Sequence, residues 1–462
     1  MIMLMMMQLH RFYFLFCLVG IVLPKTVSGF EASEFLVIGL EELEPAFASY
    51  NGSMYAGILP IDVDLEEGKE PRGKLSFWLF EPDETKESLT IWLNGGPGCS
   101  SYGAGLVFEC GPVTYPHYPA GHGRTSADQP LVPNEQSWTK ATNMLFVEQP
   151  ANVGFSYGPQ VDSEADLSRD FYNFLVNFME TFPAMATKSL YIVGESYAGM
   201  YVPSIAHYIH QQNLIHDDRQ IPLSGIALGN GWIDAWTQGP AVIDYAYWHG
   251  MIDTTTRDGL WRVWRRCEGK IHLEEPFHDF TTTDECAIVE AVLEAAGGSI
   301  FPADDHYAPN QYDVTTWDNY PIINTDVTPA TTFFNNPQVQ EKLHLPQIDH
   351  WISCMPGAGR RLEELLPGQK LLRHDQPESV VPYIAELLDV GIRVLVYGGD
   401  RDLAVNLQGS EQVLNQMEWS GSQEWQDSDR YLWMVNNDVA GYVKTHKNLD
   451  MLLVLNSGHL VP

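Results

Sequence analysis

Short apolar runs alternate with amphipathic stretches along most of this chain. The runs fall at 75–80, 89–93, 144–147, 190–193, 225–228, 392–397 and 451–455. Each has the length of a buried strand, and several are rich in β-branched residues. Apolar residues at helical spacing lie between several of them, as at 165–179 and 379–389. Strands that alternate with helices predict an α/β sheet covered by helices on its faces.

The pattern changes between about 236 and 375. This region contains the stretch WRVWRRCEGK and a Pro- and Asn-rich segment at 301–337. We interpret 236–375 as an inserted lid region over the sheet. The flanking segments 30–235 and 376–462 are then the first and second parts of one core domain, because no repeat or linker separates them.

Composition and charge narrow the classes of partner. The chain has 462 residues, 45% of them hydrophobic, which is ample for a large core. Its 26 Lys+Arg stand against 60 Asp+Glu, a net charge of −34. Nucleic acid and anionic membrane surfaces would be repelled over most of the surface, so neither is an expected partner. Such acidity also suits a protein that works at low pH.

The N-terminus predicts entry into the secretory pathway. A basic end at MIMLMMMQLHR leads into FYFLFCLVGIVL and then PKTVSG, which is typical of a signal peptide over 1–29. A signal anchor is the alternative, although no second span follows. Five cysteines remain after residue 29, and two bridges with one odd thiol are the simplest outcome in an oxidising compartment. Asn51-Gly52-Ser53 is a glycosylation sequon.

A serine lies where a strand gives way to a helix. In LYIVGESYAGMYVP, the apolar run 190–193 precedes Ser196, and apolar residues at helical spacing follow it. Gly194 to Gly199 contain the pattern G-x-S-x-G, which in hydrolases holds a nucleophilic serine on a sharp turn. An ordinary turn with a polar tip is the alternative, because short patterns recur by chance.

Candidate partners for this serine follow two later strands. Asp400 and Asp402 come after IRVLVY, and His459 comes after MLLVLN. A nucleophilic serine needs a base, and the base needs an orienting acid, in the order Ser, Asp, His for this class of sheet. Three matching strand ends in that order predict a catalytic triad.

The stretch IWLNGGPGCSS offers donors for a developing oxyanion. Gly95, Gly96 and Gly98 follow another strand end, where their backbone N–H groups can approach a substrate. A simple turn is the alternative, and a phosphate loop is excluded because the pattern G-x-x-x-x-G-K-[ST] is missing. His207 and His210 lack a third ligand, so we predict no metal, and no cofactor of any kind.

Six sequence blocks together resemble the serine carboxypeptidase family from about residue 43 to the end. They are, in the family's order, WLNGGPGCSS, VEQPANVGFSY, GESYAGMYVP, IALGNGWID, GGDRDLAVN and SGHLVP. The resemblance implies an α/β-hydrolase fold, with a mixed, mostly parallel sheet and an inserted lid. Family members continue beyond the position of Pro462, which implies that this chain is incomplete at its C-terminus.

Catalytic roles follow from the resemblance. It implies that Ser196 is the nucleophile, His459 the base and Asp402 the orienting acid, with Asp400 a structural loop residue. The oxyanion hole would be formed by the backbone N–H groups of Gly96 and Tyr197.

Substrate-binding roles also follow from it. Asn94, Glu109 and Glu195 match positions that bind the terminal carboxylate of the substrate in this family, with Trp92 beside them. Three carboxylates in one pocket cannot all be charged, so a shared proton is expected and binding should be favoured by acid.

The resemblance further implies which cysteines pair. Cys99 would pair with Cys354, and Cys267 with Cys286, which leaves Cys110 free and buried.

The function that these features indicate is a serine-type carboxypeptidase that releases C-terminal residues of peptides and proteins through an acyl-enzyme. An acyltransferase with the same triad is one alternative, and a non-catalytic protective or binding protein of the same fold is another. The expected destination is extracellular, or an acidic vacuole or lysosome. The sequence leaves the oligomeric state open, a homodimer included.

Overall fold

A ten-stranded mixed sheet is the centre of the fold. A computed structural model describes residues 29–64, 68–115, 130–217, 219–273, 286–297, 309–316, 329–354, 375 and 378–461. The strands of this sheet are β1 (Ser53–Pro60), β2 (Lys74–Glu81), β3 (Ser88–Leu93), β6 (Asn143–Glu148), β7 (Ser189–Glu195), β8 (Leu223–Gly229), β9 (Arg393–Gly399), β10 (Arg430–Val435), β11 (Asp438–His446) and β12 (Leu449–Val454). A separate two-stranded sheet contains β4 (Val113–Thr114) and β5 (Val132–Pro133).

The strand order of the large sheet is β1-β2-β6-β3-β7-β8-β9-β12-β11-β10. The six central strands, from β6 to β12, pair in parallel, whereas the outer strands pair antiparallel. Each strand interval predicted from an apolar run lies in one of these strands, except that residue 392 precedes β9 and residue 455 follows β12. The predicted α/β-hydrolase fold, with its mixed and mostly parallel sheet, is confirmed.

Helices cover both faces of the sheet. They are α1 (Glu164–Thr181), α2 (Ala198–Ile215), α3 (Ala235–Trp248), α4 (Thr254–Leu273), α5 (Ile288–Ala295), α6 (Pro329–Phe334), α7 (Pro337–Lys342), α8 (Val381–Asp389), α9 (Leu407–Gln416) and α10 (Ser422–Asp427). A π-helix spans Tyr102–Cys110, and short 3-10 helices span Ala32–Phe35, Leu40–Glu42, Pro45–Ser49, Trp138–Lys140 and Met185–Thr187.

Helix α1 illustrates how sequence sets these elements. Ser163 caps its N-terminus, since the hydroxyl accepts a hydrogen bond from the backbone N–H of Asp166 at 3.1 Å. Phe174 and Phe178 recur one turn apart and pack on Phe77 of β2, with ring centroids 6.3 and 5.7 Å away. This face therefore anchors α1 on the sheet.

The predicted insertion at 236–375 divides into two parts that pack differently. Helices α3, α4 and α5 enclose a small apolar cluster of their own around Trp264, and Leu403 of the core joins it. Residues 329–354 instead contribute to the main core, where Phe334 and Trp351 lie fully buried beneath the sheet. The first part therefore lies directly beside Asp402, the residue before Leu403.

The leader predicted at 1–29 lies outside the described residues except for Gly29. Among the residues described, no helix is both long and apolar enough to cross a bilayer. Asn51 of the predicted sequon is exposed, just before β1 begins. Its glycosylation stays a prediction.

Two disulfides join distant parts of the chain. They are Cys99–Cys354 and Cys267–Cys286, the pairs that the family resemblance implies, and Cys110 is free and buried. The first bridge closes a sequence separation of 255 residues and ties the glycine-rich loop to the segment after α7. The second closes 19 residues and ties α4 to the start of α5.

We predict that the long-range bridge stabilises the fold more than the short one. Replacing Cys99 and Cys354 by serine should lower the free energy of unfolding by about 5 kcal/mol, against about 3 kcal/mol for Cys267 and Cys286, because the longer loop gains more entropy on unfolding. Urea denaturation of the two double variants measures the difference, with Cys110→Ser as the control that keeps both bridges. Equal losses, or a larger loss for the short bridge, would contradict the prediction.

Candidate active site

Ser196 lies in the tight turn between β7 and α2. Its backbone φ is +64°, a conformation that residues other than glycine rarely adopt and that marks strain. The turn is fixed on both sides, because the Ser196 N–H donates to Gly229 O at 3.0 Å and Ser196 O accepts from the Trp232 N–H at 2.9 Å. A Cβ at Gly199 would lie 2.5 Å from the backbone nitrogen of Trp232, so glycine permits this close packing. Ser196 remains half-buried at the strand end.

The glycine-rich loop after β3 lies against this turn. A Cβ at Gly95 would be 2.4 Å from the backbone nitrogen of Tyr197 and 2.7 Å from Glu195 O, so no other residue fits there without a shift. Tyr197 begins the turn into α2, where backbone N–H groups point out of the helix N-terminus. The two proposed oxyanion donors, Gly96 and Tyr197, are thus brought to neighbouring positions beside Ser196.

Asp402 and His459 form a buried hydrogen-bonded pair. His459 Nδ1 lies 2.6 Å from Asp402 Oδ2, and the residues are 3% and 0% exposed. Asp402 also accepts from Asn230 Nδ2 at 2.7 Å and from the Val405 N–H at 3.3 Å. Three hydrogen bonds compensate the carboxylate for its burial and hold it in place.

The ring of His459 presents its second nitrogen to the end of β7. The backbone N–H of His459 donates to Tyr312 O at 2.7 Å, which fixes the loop after β12. His459 Nε2 lies 3.7 Å from Glu195 Oε1, and Ser196 follows Glu195 directly. With Nδ1 bound to Asp402, Nε2 is the nitrogen available to exchange a proton with the serine.

Asp400 has a different environment from Asp402. Within the described part of the chain its carboxyl makes no hydrogen bond or ion pair with His459, and Oδ1 is buried without a hydrogen-bond partner there. Its backbone carbonyl accepts from the Tyr245 hydroxyl at 2.8 Å. The geometry therefore supports Asp402 as the partner of His459 and Asp400 as a loop residue.

Glu109 and Glu195 form a buried pair of carboxyls beside His459. They are 2% and 4% exposed, and within the described part of the chain no donor bonds either oxygen of Glu109 or Oε2 of Glu195. Burial raises the pKa of both carboxyls, and the charge of Glu109 raises the pKa of Glu195 further. Two buried acids in contact are best satisfied when they share one proton, so the pair favours a protonated state.

Asn94 is held in one orientation next to this pair. Its Oδ1 accepts from Trp92 Nε1 at 2.8 Å and from the Gly105 N–H at 2.9 Å. Because both bonds use the carbonyl oxygen, the amide Nδ2 remains as a donor, and it faces Glu109, whose pKa it lowers against the larger effect of burial. Trp92 is fully buried, so its contribution to the predicted pocket runs through Asn94.

Two supporting residues escaped the sequence reasoning. Asn230 holds Asp402 and has a positive φ of 41°. Its place between two glycines is the sign of a special turn that the sequence offers. Glu148 ends the buried strand β6, and a carboxylate directly after an apolar run could have marked it. Both lie inside family-like blocks, yet neither carries a side chain that chemistry alone would single out.

The described ranges hold no group of three or more His, Cys, Asp or Glu side chains suited to a metal ion.

Comparison with known proteins gives a consistent result. A profile of the family described as "Serine carboxypeptidase" matches residues 45–462. A pheromone-processing carboxypeptidase KEX1 from Meyerozyma guilliermondii is 32% identical over 449 residues, covering 92% of this chain and 65% of that protein. Serine carboxypeptidase S10 family member 1 from Dictyostelium discoideum is 31% identical, covering 84% of this chain and 86% of that protein.

A solved structure is also similar. The crystal structure of Kex1(Δ)p, a prohormone-processing carboxypeptidase from Saccharomyces cerevisiae, has a TM-score of 0.79 at 27% identity and covers 94% of this chain and 93% of that one. The chain spans about 65% of the length of the first curated relatives that it matches.

We predict that Asp402, and not Asp400, governs the reactivity of Ser196. Asp402→Asn should slow the covalent labelling of Ser196 by an organophosphate by roughly 10³- to 10⁴-fold, because His459 loses its correct tautomer and orientation. Asp400→Asn, the matched variant two residues away, should stay within a few-fold of the wild type. Mass spectrometry of labelled protein over time gives the rates, and Ser196→Ala shows that the label is on the serine. A slower reaction in Asp400→Asn than in Asp402→Asn would reverse the assignment.

Proposed function

This chain belongs to the serine carboxypeptidase family, and from that premise we propose that it is a serine-type carboxypeptidase acting on the C-termini of peptides and proteins. The observation that carries the proposal is the buried carboxyl pair Glu109–Glu195, which lies beside the triad. Many hydrolases combine a serine with a histidine and an aspartate, but a site for a terminal carboxylate is what makes an enzyme of this fold act on chain ends.

The proposed reaction begins with Ser196. His459 Nε2 takes the hydroxyl proton while Oγ bonds to the carbonyl carbon of the last peptide bond. The oxyanion that forms accepts hydrogen bonds from the backbone N–H groups of Gly96 and Tyr197. The C–N bond then breaks, His459 gives its proton to the departing amine, and a C-terminal amino acid leaves.

The second half of the reaction regenerates the enzyme. Water enters in place of the departed amino acid, and His459 takes one of its protons while the oxygen attacks the acyl-enzyme. The ester bond to Ser196 breaks, and the histidine returns the proton to Oγ. Asp402 keeps the ring oriented and stabilises its positive charge throughout.

The carboxylate pocket selects the end of the substrate. The Asn94 amide donates one hydrogen bond to the terminal carboxylate, and the proton shared by Glu109 and Glu195 supplies a second. When that proton is lost, the pocket carries negative charge and repels the substrate carboxylate. Binding is therefore coupled to pH through these two acids.

The region beside the site and the compartment of the protein can also be proposed. Residues 236–375 form the inserted lid region, with α3, α4 and α5 beside Asp402. The two disulfides favour an oxidising compartment, so the protein enters the secretory pathway and acts outside the cell or in an acidic vacuole or lysosome. The net charge of −34 fits a protein that works where many carboxylates are protonated.

The function is tested by digestion of a peptide library, with mass spectrometry of the products. We expect release of single residues from free C-termini, and no release by Ser196→Ala, because removal of a triad nucleophile lowers kcat by roughly 10⁶-fold. Internal cleavage, or transfer of the acyl group to an added alcohol in preference to water, would contradict a carboxypeptidase.

We predict that KM for peptides with a free C-terminus rises as pH increases. The pKa of both glutamates is raised by burial, so the pair holds its proton in acid and loses it as pH rises towards neutrality. A dipeptide that is blocked at its N-terminus and has a free C-terminal carboxylate should show this rise in KM. The C-terminal amide of the same dipeptide should not, because the amide carries no charge for the pocket to repel. Steady-state kinetics across the pH range measures both.

The double variant Glu109→Gln, Glu195→Gln is the control for this prediction. It removes both titrating groups while it keeps their size, so the KM of the free acid should become nearly independent of pH. Parallel pH profiles for acid and amide in the wild type would show that the pocket does not bind the carboxylate.

A further inference from the structure

Glu148 is a buried carboxyl that the proposed mechanism does not use. It ends β6 and is 0% exposed. The Ser100 hydroxyl donates to its Oε1 at 2.7 Å, and the Ser101 backbone N–H donates to its Oε2 at 3.1 Å. Since the burial of a carboxyl is unfavourable unless its oxygens are bonded, these two contacts indicate what the residue does.

The contact between Glu148 and Ser101 leads to Asn94. The backbone N–H of Ser101 donates to Glu148. The hydroxyl of Ser101 accepts a hydrogen bond from the backbone N–H of Asn94 at 3.2 Å. Ser101 thus links the end of β6 to the end of β3. The residue at the other side of that link is the one whose amide faces the proposed carboxylate pocket.

The contact between Glu148 and Ser100 leads to the π-helix Tyr102–Cys110. The Ser100 oxygen accepts the N–H groups of Tyr102 at 3.1 Å and of Gly103 at 2.9 Å, while its own proton goes to Glu148. These N–H groups begin the helix and have no partner inside it. The same helix contributes the Gly105 N–H that orients Asn94, and it carries Glu109.

Gly154 leaves the space that the Glu148 carboxyl occupies. A Cβ at Gly154 would lie 2.3 Å from Glu148 Oε1, so a larger residue there would displace the carboxyl. Gly154 also has a φ of +54°, which favours glycine. Burial raises the pKa of Glu148 to about 7, and the donors around it, from Ser100, Trp351, Ser101 and Tyr102, act in the opposite direction.

We propose that Glu148 is a positioning residue that fixes Asn94 and Glu109 for recognition of the substrate carboxylate. It touches neither the substrate nor the reacting atoms. It acts through Ser101 on Asn94 and through Ser100 on the helix that carries Glu109. The inference rests on the proposed carboxypeptidase function, and it assigns to the β6 end a part in substrate selection.

Glu148→Gln tests the proposal when it is assayed at about pH 7, where a large fraction of Glu148 is ionised, because glutamine keeps the shape but has one acceptor where two donors need one. Either the Ser100 hydroxyl or the Ser101 N–H then loses its partner. We expect KM for a blocked dipeptide to rise roughly tenfold or more, the effect of a buried donor left unbonded. The kcat for the C-terminal amide of the same dipeptide should change by less than about twofold, since the triad is untouched.

Two further variants separate positioning from general loosening. Ser101→Ala keeps the N–H that bonds Glu148 but removes the hydroxyl that accepts from Asn94. It should therefore raise the KM of the free acid in the same way. If Glu148→Gln does not fold, Ser101→Ala tests the proposal in its place. Ser156→Ala is the matched control. The Ser156 hydroxyl donates to the backbone carbonyl of Glu148 at 2.6 Å and accepts from the Ser76 N–H at 2.8 Å, so its loss disturbs the same strand end without touching the carboxyl.

The outcomes distinguish this proposal from the proposed function itself. If Ser101→Ala and Glu148→Gln slow acid and amide equally, or leave KM of the acid unchanged, Glu148 does not position the pocket. A KM rise of the same size in Ser156→Ala would also overturn the proposal. The wild type is measured first. If it shows no preference for the free acid over the amide, the proposed carboxypeptidase function is wrong, whatever the variants show.

Discussion

The contact between the glycine-rich loop and the turn that carries Ser196 is the constraint on which the site depends. A Cβ at Gly95 would lie 2.4 Å from the backbone nitrogen of Tyr197, so two main chains meet here with no side chain between them. One of these chains ends β3 and the other ends β7, which are parallel neighbours in the sheet. Their carboxyl ends therefore open at the same edge, where an α/β sheet places its ligands. Ser196, the proposed oxyanion donors and Asn94 all owe their relative positions to this one approach.

The buried carboxyl groups near His459 lie in two different environments. Asp402 accepts three hydrogen bonds and is suited to stabilise a charged histidine. Glu109 and Glu195 are just as buried but lack donors among the described residues, and their pKa is raised. Acids whose surroundings differ in this way can serve, respectively, as an electrostatic support and as a proton donor to a ligand. The difference comes from Asn230 and Val405, which bond one carboxyl and not the others.

Sequence reasoning located the central parallel strands because they are buried on both faces and so read as continuous apolar runs. It missed β1, which contains glycine and proline, and the hairpin of β10 and β11, where exposed Tyr431 and Leu432 break any alternation. Ser196, Asp402 and His459 were predictable as candidates because each follows a strand in a fixed order. Asn230 and Glu148 were not, since their importance lies in hydrogen bonds between segments far apart in the chain. Within the predicted insertion at 236–375, one part forms an apolar cluster of its own and another joins a cluster against the sheet, and this difference likewise depends on packing that no local pattern reveals.

The buried glutamates also make folding a proton-uptake reaction. Burial raises the pKa of Glu109, Glu148, Glu164 and Glu195 above the 4.5 of an exposed glutamic acid, and for Glu148 the value is about 7. Between these values the folded chain binds more protons than the unfolded chain, so the free energy of unfolding falls as pH rises from about 4.5 to about 7. The ionisation that would weaken substrate binding in the proposed pocket thus also weakens the fold. A molecule carried from an acidic solution into a neutral one would lose part of its free energy of unfolding, so its stability depends on the compartment that holds it.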